Sequence, residues 1–350
     1  MKNLKTVFLP RMYEYIGAFL TFDCNLKCPY CINRFGDFAW KNPPLNYRPA
    51  EQWLTALTRI MGIHKTGTDI LPVTLCGGEP TCHPQFYDIV RGLYEYGYKT
   101  DLLTNLSFNV QEFVDNVPAD VFIREIYYPT IRVSFHATVM PNTKAFRKKF
   151  IDKVCFLRDS GYPIGIYTIN TEEGIEANKS MAQLASVNNI AFYVKPYLGY
   201  DDNGVLRGRY TYPEALNEIK RKAKCRTREL LISPSLDIYR CHHDLYKDIN
   251  PLGSLLDKDV SIDYMFRNCD NLGKCNPCDV KSKTSRHGTV GYTSVDIIDV
   301  VKEQETEYGF EKDFKSDSAG KNKKSGRKKR TTRSTKSTNA VQPDQTPDNQ

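Results

Sequence analysis

Residues 21–36 read TFDCNLKCPYCINRFG and place Cys24, Cys28 and Cys31 within eight residues, with a proline and a tyrosine between the last two. A closed tetrahedral zinc site takes four protein ligands, and a fully ligated four-iron cluster takes four cysteines. Three thiols in one loop leave one coordination position open, and an open position is where a metal does chemistry. Spacing alone leaves two readings: a structural zinc knuckle with a distant fourth ligand, or an iron–sulfur cluster with one iron free for a small molecule.

The loop follows IGAFLTF (residues 16–22), an apolar run of strand character. Beyond it, apolar runs alternate with helical spacing: PAEQWLTALTRIMGI (49–63) as a helix, DILPVTLC (69–76) as a strand, FYDIVRGLYEYG (86–97) as a helix stopped at Gly97. KTDLLTN (99–105), TIRVSFHA (130–137), PIGIYTIN (163–170) and IAFYVKPYLG (190–199) continue the strands. VQEFVDNV (110–117), TKAFRKKFIDKVCFLRDSG (143–161) and IEANKSMAQLASVNN (175–189) supply the helices between them. Six strand–helix alternations argue for an α/β protein with a parallel sheet, and right-handed crossovers would curl that sheet into a partial (β/α)6 TIM-like barrel. Polar residues gather at the strand ends: Cys24, Gly77-Gly78-Glu79, Thr104-Asn105, Ser134 and His136, Asn170, Lys195. Barrel enzymes build their sites on that face.

The second strand ends in CGGEPTCHPQF, residues 76–86. Its glycines allow a close backbone approach, and its glutamate can accept charge-assisted hydrogen bonds from an ammonium group. Together, CNLKCPYC after the first strand and GGEP after the second resemble the radical S-adenosylmethionine (SAM) superfamily, across roughly residues 16–200. The resemblance implies a [4Fe-4S] cluster held by Cys24, Cys28 and Cys31, with SAM on its open iron and Tyr30 near the adenine. Gly77, Gly78 and Glu79 match the segment that holds the methionyl amino group. Ser134 matches a SAM-contacting position, and Asn170 is a further candidate for SAM. His136 stands where many relatives carry aspartate, which puts substrate analogies in doubt; it is a candidate for substrate binding or proton transfer. Cys82, three residues past Glu79, is a candidate hydrogen-atom donor, against the default of a packed thiol. Lys195 is read either as a contact for an anionic substrate group or as a snorkelling lysine. The reaction implied is reductive cleavage of SAM to a 5′-deoxyadenosyl radical that abstracts a substrate hydrogen. A flavodoxin or ferredoxin would be the electron donor.

Five of the eleven cysteines lie between residues 225 and 278. The Cys275-x-x-Cys278 pair is a strong metal-ligand signal, and a zinc ribbon is one reading of it. The layout also resembles the twitch or shortened SPASM extensions of radical SAM enzymes. That resemblance implies an auxiliary [4Fe-4S] cluster on Cys225, Cys241, Cys275 and Cys278, with Cys269 spare or displacing Cys225. His242 and His243 are alternative ligands. LLISPSLDIYRC (230–241) reads as two short strands around a turn, and YPEALNEIKRKAKC (212–225) as a connecting helix.

The formal net charge is +8, and residues 311–350 carry eleven Lys or Arg against five Asp or Glu, so the rest of the chain is nearly neutral. The tail is read as disordered and low in complexity, able to touch nucleic acid through phosphates or simply solvating. The domain reading is 1–200 barrel, 201–224 connector, 225–305 cysteine-rich module and 306–350 basic tail. No run of about 18 apolar residues predicts a membrane span. The start MKNLKTVFLPRMYEY lacks the apolar stretch of a secretory signal, so a cytoplasmic protein is expected. Three functions compete: radical SAM modification of a peptide, protein or metabolite; the same chemistry on a nucleotide or nucleic acid; and a non-enzymatic zinc- and nucleic-acid-binding protein. The joint motif argues against the third.

Overall fold

A computed structural model describes residues 4–31, 47–61, 71–197, 199–200, 206–207, 223–269 and 295–299. Cys275, Cys278 and the basic tail lie outside the described residues, as does most of the connector. In chain order the strands are β1 (Val7–Phe8), β2 (Tyr15–Thr21), β3 (Ile60–Met61), β4 (Val73–Gly77), β5 (Thr100–Thr104), β6 (Ile131–Phe135), β7 (Ile164–Asn170) and β8 (Phe192–Pro196). There follow β9 (Gly199–Tyr200), β10 (Leu206–Arg207), β11 (Ala223–Thr227), β12 (Glu229–Ile232), β13 (Asp237–Tyr239), β14 (Gly253–Ser254), β15 (Arg267–Cys269) and β16 (Val295–Asp299). The helices are α1 (Ala50–Thr58), α2 (Phe86–Glu95), α3 (Val110–Asn116), α4 (Lys144–Asp159), α5 (Ile175–Val187) and α6 (His242–Lys247).

The six strands expected from the apolar runs are β2, β4, β5, β6, β7 and β8. Each pairs in parallel with the next, in that order. Cα partners in parallel strands point their side chains to the same face, and neighbours along a strand point to opposite faces. One face therefore carries Ile16, Ala18, Val73, Leu75, Leu102, Ile131, Val133, Ile164 and Ile166, all buried in a single apolar core with the inner sides of α1 to α5. Helix α1 shows how the spacing does this. Ala50, Trp53, Ala56 and Leu57 fall on one stripe and are buried, while Glu51 faces out. Burying a large side chain of this kind contributes about 1.5–3 kcal/mol. Helices α3 and α4 start on side-chain caps, Asn109 accepting from the Gln111 amide and Thr143 from the Phe146 amide.

The opposite face is of another character. It carries Thr74 and Cys76, Asp101 and Leu103, Arg132 and Ser134, Tyr167, and Lys195 in register across β4 to β8. Asp101 and Arg132 are both buried on that face. Arg124 and Arg132 both pair with Asp101, the latter at 3.3 Å, and the Tyr128 hydroxyl donates to the same carboxylate at 3.0 Å.

Three points depart from the sequence expectation. Helix α1 ends at Thr58 rather than near residue 63, because Ile60–Met61 peels off to pair in parallel with Val7–Phe8. Arg59 fixes that break by donating to the carbonyls of Lys5, Leu255, Asp257 and Lys258. Second, the end of the expected connector helix, Ala223 to Cys225, is strand β11, which pairs antiparallel with β15 and β16. Third, the hairpin of the cysteine-rich segment is present, but it joins the main sheet. Strand β12 pairs in parallel with β2, and β13 and β14 extend that edge, giving nine strands in the order β14-β13-β12-β2-β4-β5-β6-β7-β8. The apolar run Leu230–Ile232 is fully buried, so it needed a sheet to join. Leu236 holds the hairpin turn with φ +71° and is completely buried. Its burial outweighs the ~1–2 kcal/mol cost of a left-handed backbone.

Candidate functional site

The three-cysteine loop leaves the C-terminal end of β2 and lies against the GGEP segment at the end of β4. Two backbone hydrogen bonds sew them together: the Gly78 amide donates to the Thr21 carbonyl and the Glu79 amide to the Asp23 carbonyl, each at 2.8 Å. There is no room between them for a side chain. A Cβ added at Gly78 would overlap the Asp23 carbonyl and lie 2.5 Å from the Phe22 carbonyl oxygen. One added at Gly77 would overlap the Thr21 carbonyl, and Gly77 also has φ +130°. The close backbone approach that these glycines permit is made by the cysteine loop itself.

Glu79 is 1 % exposed. Its Oε1 accepts from the Thr81 and Thr104 hydroxyls at 2.7 Å, and its Oε2 from the Asn105 amide at 2.7 Å. Burial pushes its pKa up, and these donors oppose the shift. The carboxylate is thus turned inward and ties β4 to the end of β5; its bonds are to the chain's own hydroxyls and amides.

Asn105 carries the connection on to the cysteines. Its side-chain Nδ2 donates to Asn25 Oδ1 at 2.7 Å and lies 3.8 Å from the Cys24 sulfur, and the Leu26 backbone amide donates to the same sulfur at 3.4 Å. Such N–H groups favour a thiolate or a metal-bound sulfur. Cys24 is exposed, Cys28 buried and Cys31 half-buried, and none is in a disulfide. Burial pushes both up; the negative charges of Glu79 and then Cys31 add to it at Cys24, to about 11, and those of Cys31 and Cys24 add to it at Cys28, to about 12. Proximity of this kind is relieved by a bound cation. The donor set therefore fits an iron–sulfur cluster, although among the described residues no group of three or more His, Cys, Asp or Glu side chains already converges as a metal site. Cys82 is half-buried in the turn Pro80–Cys82, where the Asn25 amide bonds its sulfur and Glu79 and Asp23 help push its pKa up after burial.

Across the sheet end, the Tyr30 hydroxyl lies 3.0 Å from His136 Nδ1, with the two rings 5.8 Å apart. Burial pushes Tyr30 up and lowers His136 to about 4. The imidazole tautomer sets which of the two donates, and the Tyr30 hydroxyl also lies within hydrogen-bonding reach of Cys28. Tyr30 also meets Tyr197 edge-on at 6.0 Å. The loop thereby reaches from β2 to the end of β6.

Below this contact a cavity of about 130 Å³ opens on the polar face of β5 to β8, lined by Arg132, Ser134, His136, Tyr167, Thr168 and Lys195 among others. Ser134 and His136 were expected there from the strand ends. Arg132 and Tyr167 were missed; alternation along TIRVSFHA put Arg132 on the face of Ser134 and was the available signal. Asn170 is exposed at the last position of β7. Lys195 Nζ lies 5.4 Å from the centre of the Tyr167 ring.

In the cysteine-rich segment, Cys225 is buried on β11 and hydrogen-bonded to Cys269 of β15, with Cys241 close enough to raise its pKa further. Cys269 is thus a direct neighbour of Cys225. Cys241 caps α6, its sulfur accepting from the Asp244 amide at 3.4 Å. His242 packs edge-on against Phe19 with Nδ1 3.8 Å from Glu229, on the face of β2 that Phe19 shares with Cys76, and His243 follows it on α6.

No protein-family model matches the chain. The PqqA peptide cyclases of Methylorubrum extorquens (strain PA1) and Methylorubrum populi are each 36% identical to it over 92 residues, which is 25% of this chain and 21% of theirs. The local match supports the radical SAM superfamily. It spans about a fifth of the length of those relatives. Among solved structures, Streptococcus suis SuiB bound to S-adenosylmethionine aligns with a TM-score of 0.47 at 15% identity, over 71% of this chain and 62% of that one. SuiB bound to its precursor peptide SuiA aligns with the same TM-score and identity over 64% of that chain. Among the described residues, no helix is long and apolar enough to cross a membrane.

Proposed function

We propose that this chain is a radical SAM enzyme that modifies a peptide. The observation that carries the reading is the backbone seam between the three-cysteine loop and GGEP, in which both motifs are consumed by one structure at the ends of β2 and β4. The 36% identity to PqqA peptide cyclases favours a peptide as substrate. A [4Fe-4S] cluster on Cys24, Cys28 and Cys31, with SAM at its open iron, would supply one-electron cleavage to methionine and a 5′-deoxyadenosyl radical.

The chain's own residues do the rest. Leu26 and Asn105 direct N–H groups at the Cys24 sulfur. Glu79 braces the loop from below, so the groups left for SAM along Gly77–Glu79 are backbone ones. Tyr30, held by His136, closes the side toward β6, and Ser134 and Asn170 complete the rim. His136 lies between Tyr30 and the cavity, where its ring can hydrogen-bond a bound molecule. The sheet is taken to curl toward its polar face as a partial barrel over residues 1–200, followed by the connector to 224, the cysteine-rich module to 305 and the tail. In that module Cys225, Cys241, Cys275 and Cys278 would hold an auxiliary [4Fe-4S] cluster, with Cys269 in competition with Cys225. A flavodoxin or ferredoxin would supply the electron.

The test is anaerobic reconstitution with iron and sulfide, then reduction in the presence of SAM and mass analysis of the products. The wild-type chain forms 5′-deoxyadenosine and methionine, and Cys28→Ala, with one of three ligands gone, forms neither. Equal rates in the two proteins, or stoichiometric zinc in place of iron, would overturn the reading.

A further inference from the structure

The cavity on the polar face of β5 to β8 contains a buried cation with most of its hydrogen-bonding capacity in reserve. The Arg132 side chain is 9% exposed. Of its three guanidinium nitrogens, Nη2 reaches Asp101 at 3.3 Å, and Nε is buried without a hydrogen-bond partner. A guanidinium has five N–H donors, and among the described residues Asp101 is the acceptor it uses. That carboxylate is shared, since Arg124 pairs with it too and the Tyr128 hydroxyl donates to it. Two buried guanidiniums therefore divide one carboxylate, leaving an excess positive charge beside the cavity. Burying such a charge is costly unless an anion compensates it.

The other walls suit an anion as well. Lys195 bounds the cavity on β8, its ammonium 5.4 Å from the Tyr167 ring centre, and Tyr167 is itself stacked on Tyr193 at 4.6 Å. Ser134 adds a hydroxyl on the same face as Arg132, one pleat closer to the strand end. Position along β6 separates this cation from the cysteine loop. The loop meets β6 at His136, and Arg132 lies four residues earlier, about 13 Å at ~3.3 Å per residue. Ser134 and His136, read above on the SAM side, also line this cavity, and Arg132 is its lining residue farthest from the loop along β6.

We propose that this cavity recognises a carboxylate of the substrate, an aspartate, glutamate or C-terminal carboxylate of a peptide, through Arg132 and Lys195. The flat fork of a guanidinium matches a carboxylate. That the molecule is the substrate rests on the functional reading above; the anion chemistry does not.

The probe is N-acetyl-glutamate α-amide, with N-acetyl-glutamine α-amide as its neutral isostere, titrated into the full chain by calorimetry. The acid binds and the amide does not, and Arg132→Gln and Lys195→Met each weaken the acid at least tenfold. Should Arg132→Gln fail to fold for want of its pairing with Asp101, Lys195→Met carries the test alone. Equal binding of acid and amide, or unchanged affinity in Lys195→Met, overturns the proposal. So does displacement of the acid by SAM, because the site would then belong to the methionyl carboxylate. Cleavage of SAM is measured separately in the wild-type chain, so a failure of the radical SAM reading is seen there and a failure of the anion site in the titration.

Discussion

Replacing Gly78 with alanine puts a methyl group into the seam between the two motifs. The added Cβ overlaps the Asp23 carbonyl and sits 2.5 Å from the Phe22 oxygen, whereas ordinary van der Waals contact begins at 3.4 Å. Both neighbours are backbone, so neither can swing aside as a side chain would. The loop must retreat by about 1 Å along the three residues that lead into Cys24. That retreat breaks the 2.8 Å bonds from the Gly78 and Glu79 amides. Overpacking of this kind costs about 1–3 kcal/mol, and each buried donor left unpaired about 1–3 kcal/mol. Allowing for partial relaxation, we expect a loss of about 3–5 kcal/mol, read from urea unfolding of anaerobically handled protein. Iron retained after reconstitution should fall in parallel, since the displaced residues carry the first ligand. Gly97→Ala is the control. Gly97 has φ +74° with nothing within 4 Å, so it should lose only the ~1–2 kcal/mol of a left-handed backbone and keep its iron. If Gly78→Ala unfolds at the wild-type urea concentration and holds the same iron, the seam does not position the loop and the argument fails.

Asp101→Asn strips the charge that Arg124 and Arg132 share, leaving two buried guanidiniums; the expected loss is about 3–5 kcal/mol, and an unchanged unfolding midpoint would refute it. His136 is lowered to about 4 from an ordinary 6.5, so the unfolded chain binds the extra proton first. Its contribution to stability is complete above about pH 6.5 and is lost as the pH falls toward 4, by up to about 3 kcal/mol at ~1.4 kcal/mol per pH unit. His136→Phe should flatten that part of the stability–pH curve, and a slope that survives the substitution counts against it. The auxiliary cluster is checked by iron content: about eight irons per chain in the wild type and about four in Cys275→Ala/Cys278→Ala, with no change pointing instead to a single cluster.

The six parallel strands and the helices between them were legible because each leaves a local trace: a continuous apolar run for a buried strand, a stripe of apolar residues for a helix. Cys24, Cys28, Cys31 and GGEP were legible for a different reason, their fixed spacing. Glu79 shows the limit of that reading. A carboxylate after two glycines suggested a group offered to a ligand, and nothing local reports that Thr104 and Asn105, some 25 residues away, enclose it. Arg132 is a similar case, because its partner Asp101 belongs to the neighbouring strand.

The chain by itself determined what repeats along it or is spaced within it, namely the order of strands, the faces of the helices and the thiol loop at the end of β2. Which edge the Leu230–Ile232 run would join was decided only in three dimensions, where β12 found β2 across more than 200 residues and closed over its free hydrogen-bonding groups. The same holds for the pairing of Cys225 with Cys269 and for the cation left over beside the cavity. Each depends on sheet register, which sets side chains from separate strands against one another and leaves no mark in either strand alone.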